Sequence, residues 1–159
     1  YLGAVLCAGG HVLLEQAPAE HMGKTLWTAK QMGARLEPVE QGIWVSMRGR
    51  PRPVQIETGP YPEFPTDMQS VMMAAAALAD GTSHIRENVF ENRFCVAKEL
   101  QKLKNAPAVV LMSSIPGFSL EAWKIQAYGF IEKPYTKQDI MKMVERYRRE
   151  SENGVDGSF

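Results

Sequence analysis

Val54-Gln55-Ile56-Glu57-Thr58, then Gly59-Pro60-Tyr61-Pro62-Glu63-Phe64-Pro65, then Thr66-Asp67-Met68-Gln69 is the stretch on which the fold turns. Apolar and polar residues alternate through the first five positions, the period of a half-buried strand. The prolines that follow at 60, 62 and 65 admit no regular element and mark a rigid loop. Thr66 and Gln69 stand at capping-box spacing, where each side chain can satisfy an orphan amide of the other. A helix is expected from Thr66 to Asp80, closed by Gly81. Its interior, Val71 to Ala79, is apolar nearly all round and is expected to be buried. Strand, loop and helix in this order make a β-α unit. Ser83-His84-Ile85-Arg86 supplies the next strand, and Val96 to Lys104 its helix.

Towards the N-terminus the pattern adds a second layer. His11 to Glu15 reads as a strand, and Ala19 to Met32 as a helix carrying Met22, Leu26, Ala29 and Met32 at three- and four-residue steps. Gly33 ends that helix. Arg35–Val39 and Ile43–Met47 are strands joined by Glu40-Gln41-Gly42, a hairpin turn. The chain starts Tyr1-Leu2-Gly3-Ala4-Val5-Leu6-Cys7-Ala8, without Met, and reads like the back end of a helix cut from something longer.

Towards the C-terminus the texture changes after Pro107. Val109-Val110-Leu111-Met112 is a continuous apolar run, expected to be a parallel strand buried on both faces. Ser119–Gln126 reads as a helix, Tyr128–Glu132 as a second strand ended by Lys133-Pro134, and Thr136 to about Arg149 as an amphipathic helix. Residues 151–159 are expected to be a disordered tail.

Composition sets outer limits. The chain has 159 residues, enough to bury about 70% of its unfolded surface. Eighteen basic and eighteen acidic residues give zero net charge, which argues against a nucleic-acid-binding face. The zero hides a step: residues 1–100 hold nine Lys/Arg and eleven Asp/Glu, residues 101–150 nine and five, and the tail Glu152 and Asp156. Cys7 and Cys95 are too few for a disulfide framework or a zinc site, and His11, His21 and His84 are scattered. No metal and no cofactor are expected. No apolar run of about 18 residues exists, so no membrane span is expected, and reduced thiols suit a cytoplasmic protein. The loop Arg48-Gly49-Arg50-Pro51-Arg52 reads as a solvated turn, with phosphate binding as the alternative.

Asp67 is the first candidate for chemistry. On the first turn of a helix its ionised form is favoured, and it could take a proton from a sugar hydroxyl; it could also merely favour the helix start. The motifs Gly59–Gln69 and Glu87-Asn88-Val89-Phe90-Glu91-Asn92-Arg93-Phe94 resemble those of UDP-N-acetylglucosamine enolpyruvyl transferases, and the resemblance covers residues 1 to about 104. It implies that Asp67 contacts the sugar nucleotide and serves as the base for its hydroxyl. It also implies that Val89 and Phe90 line the uridine site and that Arg93 is structural. The catalytic Cys loop, the N-terminal Lys and the phosphate-binding arginines of such enzymes have no counterpart here.

Residues 107 to about 150 resemble the second half of a response-regulator receiver domain, on Ala108–Ser114 and Ala127–Tyr135. That resemblance assigns phosphoryl contacts to Ser113 and Lys133 and a rotameric switch to Phe130 or Tyr128, and implies a cis Lys133–Pro134 bond. The receiver's phosphoacceptor and acidic metal pair belong to a first half that is absent.

The expectation is therefore an α/β chimera, natural or engineered, without a complete active site. It has a β-α-β-β layer over residues 1–53. Residues 54–150 follow as four β-α units forming one sheet flanked by helices, flavodoxin/receiver-like in the C-terminal part and joined near residue 105. Weak UDP-sugar affinity through Asp67, Val89 and Phe90 is expected. The alternative is a receiver-like module that self-associates through Trp123, Tyr128, Tyr135 and Tyr147 and is not phosphorylatable.

Overall fold

The computed structural model describes residues 1–90, 93–115 and 117–155. The chain divides into two compact units, Tyr1–Pro107 and Ala108–Phe159.

In the first unit, α1 (Leu2–Ala8) buries Leu2, Val5 and Leu6, three residues spaced to share one helix face. Gly9 ends it at φ 72°, a left-handed conformation that glycine adopts without penalty, and its N–H donates to Val5 O at 2.9 Å. The expected helix over Ala19–Met32 is split. A single 3₁₀ turn at Ala19–His21 is followed by α2 (Gly23–Gln31). Glycine at 23 propagates a helix poorly, so the chain changes pitch there.

Three strands, β1 (Gly10–Glu15), β2 (Arg35–Val39) and β3 (Gly42–Met47), form an antiparallel sheet in the order β1-β3-β2. The register sets Val12 and Leu36 against Val45 on either side. The central strand alternates as the pleat requires: Ile43, Val45 and Met47 are buried, Trp44 and Ser46 half-buried. Gly42 is obligatory for this register, because a Cβ there would run into the Leu14 carbonyl oxygen.

The β-α unit named by the Val54–Gln69 stretch is present but shorter than expected. The parallel strands β4 (Gln55–Glu57) and β5 (His84–Arg86) pair Ile56 with Ile85. A 3₁₀ turn over Thr66–Met68 leads into α3 (Gln69–Ala76). Beyond Ala76 the chain tightens into i→i+3 bonds, Leu78 N–H to Ala75 O and Ala79 N–H to Ala76 O, so helix does not reach Asp80. Nor is it buried all round: Met72, Met73 and Ala75 are covered, while Val71 and Leu78 are each 36% exposed. The unit also contains α4 (Cys95–Leu100).

One apolar core runs through the unit. It gathers Leu2, Val5 and Leu6, then Met32, Ile43, Val45 and Met47, and also Val54, Ile56, Phe64, Met72 and Ala75. Residues 1–53 and the strands and helix that follow therefore share one interior, where the sequence pattern had grouped 54 with everything up to 150. The arginine loop lies at this join. Arg50 Nε donates to Leu78 O at 2.9 Å and Arg52 Nη2 to Lys30 O at 3.4 Å, so two cations sit on the carbonyl ends of α3 and α2, where helix dipoles favour them.

The second unit is a parallel pair, β6 (Val110–Ser113) and β7 (Gly129–Glu132), with α5 (Phe118–Lys124) against both strands and α6 (Lys137–Val155) against β7. Leu111, Ala122, Ile125 and Ile131 are its buried apolar side chains. Two expectations are corrected. The single sheet over 54–150 is replaced by two separate two-stranded sheets, β4-β5 and β6-β7. The run Val109–Met112 is not buried on both faces: only Leu111 is covered, because a two-stranded sheet with two helices leaves much of its surface open. α6 also continues through Val155, so residues 151–155 of the expected disordered tail are helical; 156–159 lie outside the described residues. Its start carries a reciprocal cap. Thr136 N–H and Oγ1 donate to Asp139 Oδ2 at 2.9 and 2.8 Å, and Asp139 N–H returns to Thr136 Oγ1 at 3.3 Å. The Lys133–Pro134 bond is cis.

Candidate functional site

The C-terminal ends of β4 and β5 carry a polar cluster, in the place where open parallel sheets gather ligand-binding groups. Thr58, just past β4, is 2% exposed. Its N–H donates to Arg86 O at 2.9 Å, and its hydroxyl both donates to Glu87 Oε1 and accepts the Asn88 N–H, each at 2.9 Å. Glu87 Oε1 also accepts the N–H groups of Val89 (2.9 Å) and Phe90 (3.1 Å), while Oε2 accepts the Thr66 hydroxyl at 2.9 Å. Asn88 Nδ2 donates to Glu57 Oε1 at 2.9 Å and to Thr58 O at 3.1 Å. Burial of the Glu87 carboxyl raises its pKa, but the amides of Val89 and Phe90 and the hydroxyls of Thr58 and Thr66 outweigh this and hold it below the ordinary glutamate range.

Asp67 projects from the 3₁₀ turn beside Thr66, its side chain 86% exposed. Its Oδ1 lies 2.7 Å from Arg93 Nη2. The same guanidinium lies 4.9 Å from the centroid of the Phe90 ring. Val89 and Phe90 are 42% and 53% exposed. Asp67, Phe90 and Arg93 are thus brought together on the surface, with Val89 adjacent in the chain. Glu91 and Asn92 of the same motif lie outside the described residues.

The capping box expected at Thr66–Gln69 does not form. The ionised Glu87 is the stronger acceptor and takes the Thr66 hydroxyl. Gln69 is fully buried, and its amide has no protein partner among the described residues. Sequence reasoning missed Glu87 itself. The legible signal was a Glu-Asn pair directly after one strand, with a threonine directly after the neighbouring strand.

In the second unit Ser113 and Lys133 stand at the ends of adjacent parallel strands. Lys133 N–H donates to Ser113 O at 2.9 Å, and Ser113 Oγ accepts the Ile115 N–H at 3.1 Å. Phe130 is half-buried in β7. Tyr128 is held by its neighbours: its hydroxyl donates to Glu150 Oε2 at 2.8 Å, its ring meets Tyr147 edge-on at 5.5 Å, and Arg146 lies 4.9 Å above it. Among the described residues no three His, Cys, Asp or Glu side chains gather to hold a metal ion, and no helix is long and apolar enough to cross a membrane.

This is a mixed α/β protein of helices and small sheets. The chain belongs to the EPSP synthase (3-phosphoshikimate 1-carboxyvinyltransferase) family, which it matches over residues 1–128. The match continues past the junction expected near residue 105. Two curated relatives are UDP-N-acetylglucosamine 1-carboxyvinyltransferases. That of Methylacidiphilum infernorum (isolate V4) is 51% identical over 94 residues, 59% of this chain and 22% of the relative. That of Anaeromyxobacter sp. (strain Fw109-5) is 46% identical over 103 residues, 65% and 24%. The chain thus spans less than a quarter of the length of either relative. Among solved structures, the enolpyruvyl transferase NikO from Streptomyces tendae superposes with a TM-score of 0.49 at 19% identity, covering 71% of this chain and 32% of that one.

Proposed function

We propose that the first unit carries part of the sugar-nucleotide site of a UDP-N-acetylglucosamine 1-carboxyvinyltransferase, the activity named for the relatives above, and that it does not complete the reaction alone. Asp67 would meet the sugar hydroxyl, and Val89 and Phe90 the uridine. The observation that carries this reading is the 2.7 Å contact between Asp67 and Arg93, with Phe90 under the same guanidinium. It sets an exposed carboxylate, a cation and an exposed aromatic ring side by side. Transfer of an enolpyruvyl group needs several cations around phosphate and carboxylate, and one arginine does not supply them. Calorimetric titration with UDP-N-acetylglucosamine tests the reading. The expected result is affinity tighter than millimolar, lost in Asp67→Ala. Turnover of phosphoenolpyruvate by the purified chain, or no binding at all, overturns it.

A second reading concerns residues 108–155: a receiver-like interaction module in a chimeric, cytoplasmic chain. It is supported by the parallel pairing of β6 with β7 and by Ser113 and Lys133 at their C-terminal ends. Without the acidic pocket of a receiver this unit would take no phosphoryl group from acetyl phosphate and Mg²⁺, and intact mass would show no adduct. Leu120 and Trp123, 56% and 78% exposed one turn apart on α5, favour self-association. Sedimentation that does not change with concentration counts against it.

A further inference from the structure

Asp67 and the Val89–Phe90 segment come from separate parts of the chain, 22 residues apart in sequence, and each is exposed. Exposed groups on different loops hold a common geometry only if something beneath them ties the loops together. One carboxylate is bonded to both. Glu87 Oε2 takes the hydroxyl of Thr66, the residue next to Asp67, and Glu87 Oε1 takes the two amides that shape the Val89–Phe90 turn. The carboxylate is in turn anchored to the end of β4 through the buried Thr58.

We propose that Glu87 is a positioning residue that sets Asp67 in register with Val89 and Phe90, and thereby sets the affinity for the sugar nucleotide. The inference rests on the sugar-nucleotide reading above for its ligand, but not for its geometry. The Asp67–Arg93 contact ties the same two segments from the solvent side, yet it is an exposed pair, and such pairs hold little in water. Charge-assisted bonds from two amides and two hydroxyls to a partly covered carboxylate are the stronger tie. The bonds also divide the labour between the two oxygens. Oε2 serves the Asp67 side, and Oε1 serves the Val89–Phe90 side together with the anchor.

Three variants of the full chain separate these roles. Glu87→Ala removes both ties, Thr66→Val removes the Asp67 tie alone, and Glu87→Gln keeps one carbonyl oxygen for the two amides. Two readouts are taken: amide hydrogen exchange at Val89 and Phe90 with the carboxyl carbon shift of Asp67, and titration with UDP-N-acetylglucosamine. In Glu87→Ala, exchange at Val89 and Phe90 is expected to accelerate, and binding to weaken, each by about tenfold or more, the scale of one or two lost hydrogen bonds. Thr66→Val is expected to shift the Asp67 carboxyl and weaken binding while leaving Val89 and Phe90 exchange unchanged. Glu87→Gln is expected to retain much of the protection at Val89 and Phe90 but not the wild-type Asp67 shift. Exchange and carboxyl shift at wild-type values in Glu87→Ala would overturn the proposal, as would unchanged affinity in both Glu87→Ala and Thr66→Val. If the wild-type chain binds no sugar nucleotide, the functional reading fails, and the exchange and shift data still decide whether Glu87 holds the two segments. If Glu87→Ala does not fold, Thr66→Val and Glu87→Gln carry the decision.

Discussion

Leu6 offers a quantitative test of how the first unit is built. It has no exposed surface, and it shares the buried face of α1 with Leu2 and Val5 in the cluster that holds Ile43, Val45 and Met72. Leu6→Ala deletes buried carbons from a site walled by a sheet on one side and a helix on the other. α1 packs on β3 and on α3 at once, so it cannot slide to fill the hole without uncovering Leu2 or Val5. Incomplete collapse places the cost in the middle of the range for buried leucines, about 3–4 kcal/mol. For a unit of Tyr1–Pro107 that corresponds to a Tm lower by roughly 12–16 °C, at about 4 °C per kcal/mol. Calorimetry or urea titration of the full chain measures it, with Ala4→Ser as the control because Ala4 is exposed on the same helix. A loss under about 1 kcal/mol would refute the reasoning, since that is the size of an ordinary surface change, and α1 would then be peripheral to the core.

Three further outcomes follow from the same structure. Arg50→Ala should cost about 1 kcal/mol by freeing the Leu78 carbonyl at the end of α3, measured by urea unfolding, whereas Arg48→Ala should cost nothing measurable. A double-mutant cycle between Asp67 and Arg93 should give a coupling of about 0.2–1 kcal/mol that falls as salt is added; a salt-independent coupling would mean the pair is more sheltered than its exposure allows. The lowered pKa of Glu87 fixes a sign for pH. Its contribution is fully present above the ordinary value of 4.5 and is lost as pH falls through the lower native value, so first-unit stability should drop on acidification and Glu87→Gln should flatten that drop.

Local signals were legible where one residue type forces one backbone. The hairpin around Gly42 and the alternation of Ile43, Val45 and Met47 along β3 follow from pattern. The outcome was different where a side chain had two suitors. Thr66 fits a capping box by spacing, yet an acceptor 21 residues away holds it, while Thr136 and Asp139, which the sequence reading passed over, form the reciprocal cap at the start of α6. Sheet membership was the other gap. Val109–Met112 has the composition of a strand covered on both faces, but composition does not say how many neighbours the strand will have, and here it has one. For the candidate site, Asp67, Val89 and Phe90 come from the resemblance of their motifs to those of the enolpyruvyl transferases, whereas Glu87 emerges only when the ends of two strands are set side by side.

The loop at residues 48–53 has a consequence for how the chain meets proteases. It is exposed at Arg48, Arg50 and Arg52 and rich in the residue trypsin-like enzymes cut after, the composition of a natural nicking site between the two halves of the first unit. Two of its three arginines are followed by proline, at Arg50-Pro51 and Arg52-Pro53, and those bonds resist such enzymes. They are the same two arginines whose side chains fasten the ends of α3 and α2. The loop thus leaves a single vulnerable bond, Arg48-Gly49, and a cut there would leave Arg52 on one piece still bonded through its side chain to the Lys30 carbonyl and through its N–H to the Met32 carbonyl on the other.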